Sequence, residues 1–299
     1  MKKNNKVQNL LRKQILVLDG ATGTELQKRG LPSGVCPEIW CLENPDVISD
    51  VHASYAKAGA QIVYTCTFGA NRFKLKQYGV KKDVYSVNQE LSRLAKKACG
   101  KKALVAGDIG PTGLFVEPFG PLAFEEAVDA FKEQVRGLID GGCDLIVIET
   151  MIDIQETRAA LLAVKELADI FTIVSMTYEK DGHTLGGTPP ESALVTLQSL
   201  GADAVGCNCS AGPEQMIGFI AAMRPYATVP LLAKPNAGMP KLEGLKTVFD
   251  MDAQSFAAFG RKLAAAGANL LGGCCGTTPA HIQALAAALA GRKPALPRC

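Results

Sequence analysis

Short runs of β-branched or apolar residues recur along the chain, each followed by a few Gly, Asp, Asn or Thr residues and then a longer stretch in which apolar positions return every three to four residues. The runs are Ile15 to Leu18, Gln61 to Tyr64, Ala103 to Ala106, Leu145 to Ile148, Thr172 to Met176, Ala204 to Cys207, Leu231 to Ala233, and Leu270 to Leu271 with their flanks. They predict eight strands. Between them lie helical patterns such as Pro45 to Ala58, Phe124 to Ile139, Ile154 to Ala168, Ala253 to Ala266 and Pro279 to Ala290, several opened by Asn, Asp or Thr caps. Gly59-Ala60, Gly141-Gly142, Gly201-Ala202 and Gly267-Ala268 each close a helix and lead into a buried strand.

Eight alternating units with no Pro-rich or charged linker predict a single-domain (β/α)8 TIM barrel over 1–299, with 1–13 as a flexible or helical N-terminal extension. An open doubly wound sheet usually has fewer strands at this length and a glycine fingerprint after its first strand. Here the first turn reads Asp19-Gly20-Ala21-Thr22-Gly23-Thr24, without GxGxxG spacing or a Walker lysine, which argues against a nucleotide cradle.

Charge narrows the partners. With 32 basic and 29 acidic residues the net charge is +3, too small a surplus to hold a polyphosphate backbone, so nucleic acid is not expected. The longest apolar runs fall far short of the roughly 18 to 20 residues of a membrane helix, and the basic amino terminus leads through ILVL straight into Asp19 rather than into a signal-peptide core. A soluble cytoplasmic protein is expected. Its ten cysteines then read as reduced thiols, with Cys36, Cys41, Cys99, Cys143 and Cys299 as packing or incidental surface residues.

Reactive groups of such a barrel stand just after its strands. Those positions hold Asp19, Thr65 and Thr67, Asp108, Glu149 and Thr150, Thr177, Asn208 and Cys209, Lys234 and Asn236, and Cys274 and Cys275. Taken alone, the Cys274-Cys275 pair could be buried small residues, a vicinal disulfide or two metal ligands. Cys209 at another strand end favours ligands, because three converging thiolates suit a tetrahedral zinc site with its fourth position open. Gly272 and Gly273 would let the backbone bend so that both neighbours reach one ion. Cys207 keeps a closed four-cysteine site open, since alternate strand residues share a face, although inward packing also accounts for it. Asp19 and Glu149 suit a substrate ammonium group, or serve as caps or ion-pair partners. His52, His183 and His281 lie away from the strand ends, which weakens a histidine zinc site or a hydrolase triad.

The segments LDGATGTEL (18–26), PEIW (37–40), TFGAN (67–71), GDIGPTG (107–113), IETM (148–151), NCSAGPEQM (208–216), KPNAG (234–238) and GGCCGTTP (272–279) together resemble the homocysteine S-methyltransferase family, and within it the homocysteine domain of cobalamin-dependent methionine synthases. The resemblance implies that Cys209, Cys274 and Cys275, rather than Cys207, hold Zn2+ and are the catalytic ligands. It implies that Asp19, Thr65 and Glu149 bind homocysteine and that Asn236 takes the fourth zinc position until the substrate thiolate arrives. The implied reaction methylates homocysteine to methionine from methylcobalamin on a separate corrinoid protein or domain. S-methylmethionine, betaine or another small methyl donor is the alternative, as is a non-catalytic zinc-bearing scaffold. The length leaves no room for further synthase modules, so a stand-alone subunit or a fragment is expected. The chain departs from the family at Thr65-Cys66-Thr67-Phe68, where methionine synthases usually read Thr-Asn-Thr-Phe.

Overall fold

A computed structural model of the chain describes residues 5–243 and 246–295; Cys299 lies outside the described residues. Its strands are β1 (Leu16–Val17), β2 (Ile62–Tyr64), β3 (Leu104–Ile109), β4 (Leu145–Met151), β5 (Thr172–Met176), β6 (Ala204–Asn208), β7 (Leu231–Lys234), β8 (Lys241–Glu243), β9 (Lys246–Val248) and β10 (Ala268–Leu271). Eight of them pair in the order β1-β10-β7-β6-β5-β4-β3-β2, and the pairings in this sheet are parallel. The sheet closes on itself through a parallel bridge between Leu18 and Ile62, with the Gln61 amide donating to the Val17 carbonyl at 2.7 Å. Closure leaves no exposed edge, which makes this a (β/α)8 barrel. The remaining two strands form an antiparallel hairpin after β7, a feature the sequence patterns did not signal.

The helices are α1 (Asn5–Leu11), α2 (Thr22–Lys28), α3 (Pro37–Glu43), α4 (Pro45–Lys57), α5 (Arg72–Gln77), α6 (Val84–Cys99), α7 (Phe124–Asp140), α8 (Ile154–Leu167), α9 (Pro190–Ser199), α10 (Pro213–Met223), α11 (Ala253–Ala266) and α12 (Pro279–Leu289). Asp83, Asp153 and Asp252 cap α6, α8 and α11 by accepting bonds from amides of the first turn. Gly59 and Gly267, at φ +101° and +122°, end α4 and α11 in a conformation that other residues rarely adopt.

Strand alternation divides the core in two. Leu16, Leu18, Ile62, Tyr64, Leu104, Ala106, Leu145, Val147, Ile173, Ala204, Leu232 and Leu270 fill the barrel, joined by Val7 and Leu11 of α1, so this helix, Asn5–Leu11, covers one end. Val63, Val105, Ile146, Ile148, Val174, Val205, Cys207, Ala233 and Leu271 pack outward beneath the helices. Each fully buried Leu or Ile contributes about 1.5–3 kcal/mol. At the opposite end the inward series continues with polar residues: Asp108 after Ala106, Glu149 after Val147, Asn208 after Gly206, Lys234 after Leu232. This explains why β3 and β4 run on to Ile109 and Met151, past the apolar runs ending at Ala106 and Ile148 that predict them. Polarity ends the apolar run while the backbone ladder continues.

His52, on α4, is buried with an unpartnered Nε2, and burial lowers its pKa to about 4. The unfolded chain takes up this proton near pH 6.5 while the native state refuses it. His52 therefore withdraws stability as pH falls from about 6.5 to about 4, by about 3 kcal/mol in all. Denaturant unfolding is expected to show His52→Leu gaining on the parent protein by that amount between pH 7 and about pH 4. A constant difference across that range would refute this.

Candidate active site and metal centre

Cys209 lies one residue beyond β6, and Cys274 and Cys275 lie in the loop after β10. Their sulfur atoms sit within 4.8 Å of one another, with Cys209 Sγ and Cys275 Sγ 3.9 Å apart. Regular strand alternation would send Cys209 outward with Cys207. Instead Cys209 and Ser210 adopt φ of +61° and +50°, which turns the chain over the barrel mouth. Non-glycine residues in this region cost on the order of 1–3 kcal/mol and persist where their surroundings enforce them. Here the Cys209 amide donates to the Lys234 carbonyl and the Ala211 amide to the Cys209 carbonyl. Cys207 remains behind, buried against the helix layer, with its thiol pushed up to about 12 by burial.

The glycines before the cysteine pair serve a different purpose from bending. A Cβ on Gly272 would stand 2.8 Å from the Asp19 carbonyl oxygen, and one on Gly273 would stand 2.4 Å from Thr277 Oγ1. They permit close approach of the β1 and β10 ends, cross-linked by the Gly273 amide on the Asp19 carbonyl at 2.9 Å. Cys274 is fixed through its own amide on the Pro235 carbonyl and by Thr277 Oγ1 donating to its carbonyl at 2.7 Å. The Ala237 amide donates to the Cys275 carbonyl, so the segment carrying Asn236 is tied to the same loop. Asn236 is buried, and its Oδ1 has no hydrogen-bond partner.

The thiols do not ionise alike. Hydrogen bonds from Cys274 and Cys275 pull Cys209 down to about 3 against the effect of burial, while the bond with Cys209 pushes Cys274 up to about 12 and Cys275 higher still. The protein alone thus sustains one thiolate. Three would require a cation among them, and a thiolate-rich donor set with an unsatisfied amide oxygen nearby fits Zn2+.

The cysteines line a cavity of about 330 Å³ whose wall also includes Tyr64, Cys66, Asp108, Glu149, Thr150 and Lys234. Lys234 is buried, 3.0 Å from Asp19 Oδ1, 3.9 Å from Glu149 Oε2, and its Nζ stands 3.5 Å from the Tyr64 ring centroid. Burial disfavours its charge, but Asp19, Tyr64, Glu149 and Cys274 outweigh that and hold its pKa well above the ordinary value. Lys234 is therefore a permanent cation. Burial raises Asp19, opposed chiefly by Lys234, and raises Glu149 to about 7. A one-residue bulge in β4 between Ile148 and Met151, with Thr150 at φ +59°, sets the direction of Glu149.

Of the residues expected from sequence, Cys209, Cys274, Cys275 and Glu149 meet on the cavity wall. Asp19 lies behind Lys234 with both oxygens engaged, Oδ2 accepting from the Tyr64 amide at 2.7 Å. Thr65 is turned into the protein, its hydroxyl shared with Thr67 Oγ1 at 2.6 Å and with the Asp108 amide at 2.9 Å. Cys66 lines the cavity, but its sulfur partner is Cys41 at 3.6 Å, not the cluster. His52 and His281 are packing and capping residues, and His183 sits on an exposed loop.

Sequence reasoning gave no role to Asn208, Lys234 or Tyr64. Asn208 Oδ1 accepts from the Thr150 amide and Ser175 Oγ, and its Nδ2 donates to Thr150 Oγ1 and stands 3.9 Å from Cys274 Sγ, so it links the acid to the cysteines. Their position at the ends of strands was the available signal for Asn208 and Lys234. Tyr64 closes an apolar run and reads as core.

The family described as homocysteine S-methyltransferase matches residues 16–289. The methionine synthases of Mycobacterium tuberculosis and Mycobacterium leprae are each 33% identical to the chain, over 95% and 94% of it. The chain spans about a quarter of the length of these curated relatives, 25% in each case. The crystal structure of the Escherichia coli homocysteine methyltransferase MmuM in its metallated form superimposes with a TM-score of 0.79 at 28% identity, covering 95% of this chain and 99% of that one. Among the described residues no helix is long and apolar enough to cross a membrane.

Proposed function

The chain belongs to the homocysteine S-methyltransferase family, and from that premise we propose that it methylates homocysteine to methionine, with Zn2+ held by Cys209, Cys274 and Cys275. The observation that carries this reading is the meeting of three sulfurs from two strand ends on the wall of a cavity that also holds buried acids and a lysine. Asn236 is the fourth ligand while no substrate is present. When bound there, zinc supplies the Lewis acidity that keeps an incoming thiol deprotonated at neutral pH, where a free alkyl thiol is mostly protonated.

The chain's own groups orient the substrate. Glu149 offers its carboxylate to the ammonium end of homocysteine, and Asp19 completes the acidic environment through its pair with Lys234. Thr65 contributes by fixing the adjoining loop through its bonds to Thr67 and Asp108. Asn208 keeps Glu149, Thr150 and Cys274 in register. With the amino-acid end anchored, the substrate sulfur faces the open side of the cavity, where an S–C bond forms as the methyl group leaves its donor.

Methylcobalamin carried by a separate corrinoid protein or domain is the donor this reading favours, supported by similarity to methionine synthases about four times as long as this chain. A small methylated donor is the second reading, favoured by the match to 99% of the MmuM chain. Adding homocysteine to zinc-loaded protein is expected to release one proton per site, and methionine is expected from free methylcobalamin in preference to S-methylmethionine. Silence in the proton measurement would leave a zinc-bearing scaffold; methionine from S-methylmethionine alone would select the second donor.

A further inference from the structure

The segment that carries Asn236 is bonded to the surroundings of both groups of cysteines. The Asn236 main-chain amide donates to the Ala211 carbonyl at 3.3 Å, just past Cys209, and the Cys274 amide donates to the Pro235 carbonyl at 2.8 Å. The Ala237 amide reaches the Cys275 carbonyl at 2.9 Å, and the Ala237 carbonyl accepts from the Met251 amide at 3.1 Å. Met251 lies between the β8–β9 hairpin and α11. Phe249, on the same stretch, packs directly on the cysteine loop, since a Cβ on Gly276 would stand 2.4 Å from Phe249 Cγ. The outer side of the metal centre therefore depends on where residues 249–251 are held.

One side chain holds them. His281, in the first turn of α12, places Nε2 2.9 Å from the Met251 carbonyl oxygen and Nδ1 3.2 Å from the Thr278 amide and 2.9 Å from Thr278 Oγ1. These partners fix the tautomer. The Thr278 amide can only donate, so Nδ1 accepts and carries no proton; the Met251 carbonyl can only accept, so Nε2 carries the proton and donates it. Phe256 of α11 meets the imidazole edge to face, with ring centroids 5.6 Å apart and planes at 83°, which holds the ring in that orientation. Capping α12 needs the Nδ1 bond alone. The Nε2 bond reaches a carbonyl 30 residues away, and helix capping does not account for it.

We propose that His281 is a positioning residue of the metal centre, clasping the base of the β8–β9 hairpin to the cysteine loop and so keeping the Asn236 segment in register with Cys274 and Cys275. The bonds form a ring, from Thr278 through His281, Met251 and Ala237 to Cys275 and back along the chain to Thr278. Cys274 and Cys275 lie in a loop, outside the strand ladder that fixes residues such as Asn208, so the ring does for them what the ladder does elsewhere. His281 does not line the cavity and acts through these bonds. The inference rests on the zinc reading of the cysteine cluster, because groups that orient metal ligands from behind govern how tightly the ion is held.

Three substitutions separate the clasp from the cap. Glutamine sets an amide nitrogen where Nε2 stands and still accepts from Thr278 as in a common capping box, whereas asparagine serves Thr278 but is too short to reach Met251. Zinc affinity of the full chain, measured by competition with a chromogenic chelator, is the readout. His281→Asn and His281→Ala are expected to weaken zinc about tenfold, and His281→Gln to stay within about twofold of the parent protein. Parent-like affinity in His281→Asn would reduce His281 to a helix cap and overturn the proposal. A His281→Gln protein no better than His281→Ala would overturn it too, since restoring the bond would then restore nothing. Parent protein that takes up no zinc would instead bring down the metal reading itself, and the clasp with it.

Discussion

Cys209→Ala protein is expected to remain a folded barrel while losing bound zinc and methyl transfer together. Removing this sulfur subtracts the group best able to ionise, because Cys274 and Cys275 both donate to it and are themselves held protonated by that arrangement. Two sulfurs and an amide oxygen make a poor site, since zinc sites that keep an open position hold the ion through three strong protein ligands. The fold has little stake in the residue. Cys209 lies beyond the last residue of β6 and is half-buried, and the ladder from Val205 to Asn208 does not include its side chain. The activity loss should exceed about 30-fold, the cost of returning a thiol of pKa about 8.5 to its ordinary thiolate fraction at pH 7. Metal analysis, circular dichroism and methionine formation check the three parts, and near-normal zinc stoichiometry would refute the ligand assignment.

Lys234→Met should produce the largest stability change. The lysine is 3% exposed and stands against Asp19 and Glu149, so its removal strands buried carboxylates without a counter-charge. Breaking such a pair from one side typically costs about 3–5 kcal/mol. Adding Asp19→Asn should recover part of that loss, because the remaining buried charge falls by one. The penalty should also shrink as pH falls. Burial already favours the protonated forms of Asp19 and Glu149, and protonated acids need no cation. Denaturant unfolding at two pH values reads both effects, and a loss equal at neutral and acidic pH would show that Lys234 stabilises by packing alone.

The barrel itself is legible in the sequence. Apolar runs and helical stripes are local patterns, and eight of them in alternation leave few architectures. The expected runs recur as β1 to β7 and β10, and Thr172–Met176 and Ala253–Ala266 have the boundaries read from the sequence. What local patterning could not supply was the β8–β9 hairpin and the polar extension of β3 and β4, where the backbone ladder outlasts the apolar run.

For the site, the rule that chemistry gathers after the strands named nearly every residue that matters, but not the relations among them. Strand alternation put Cys209 on the side of Cys207; a left-handed turn at Cys209 reversed that. For Asp19 the sequence leaves a substrate acid and an ion-pair partner both open, and the fold sets it against Lys234; Asp108, given no role, keeps an Oδ1 without a hydrogen-bond partner. The reason is separation along the chain. Cys209 and Cys275 are 66 residues apart, Asp19 and Lys234 215, and only closure of the β1 end onto β10 and β2 decides which side chains touch. Sequence by itself determined the repeating architecture and the inventory of reactive groups, because both follow from short-range periodicity. Tertiary structure alone decided which charges neutralise each other and which remain for a ligand.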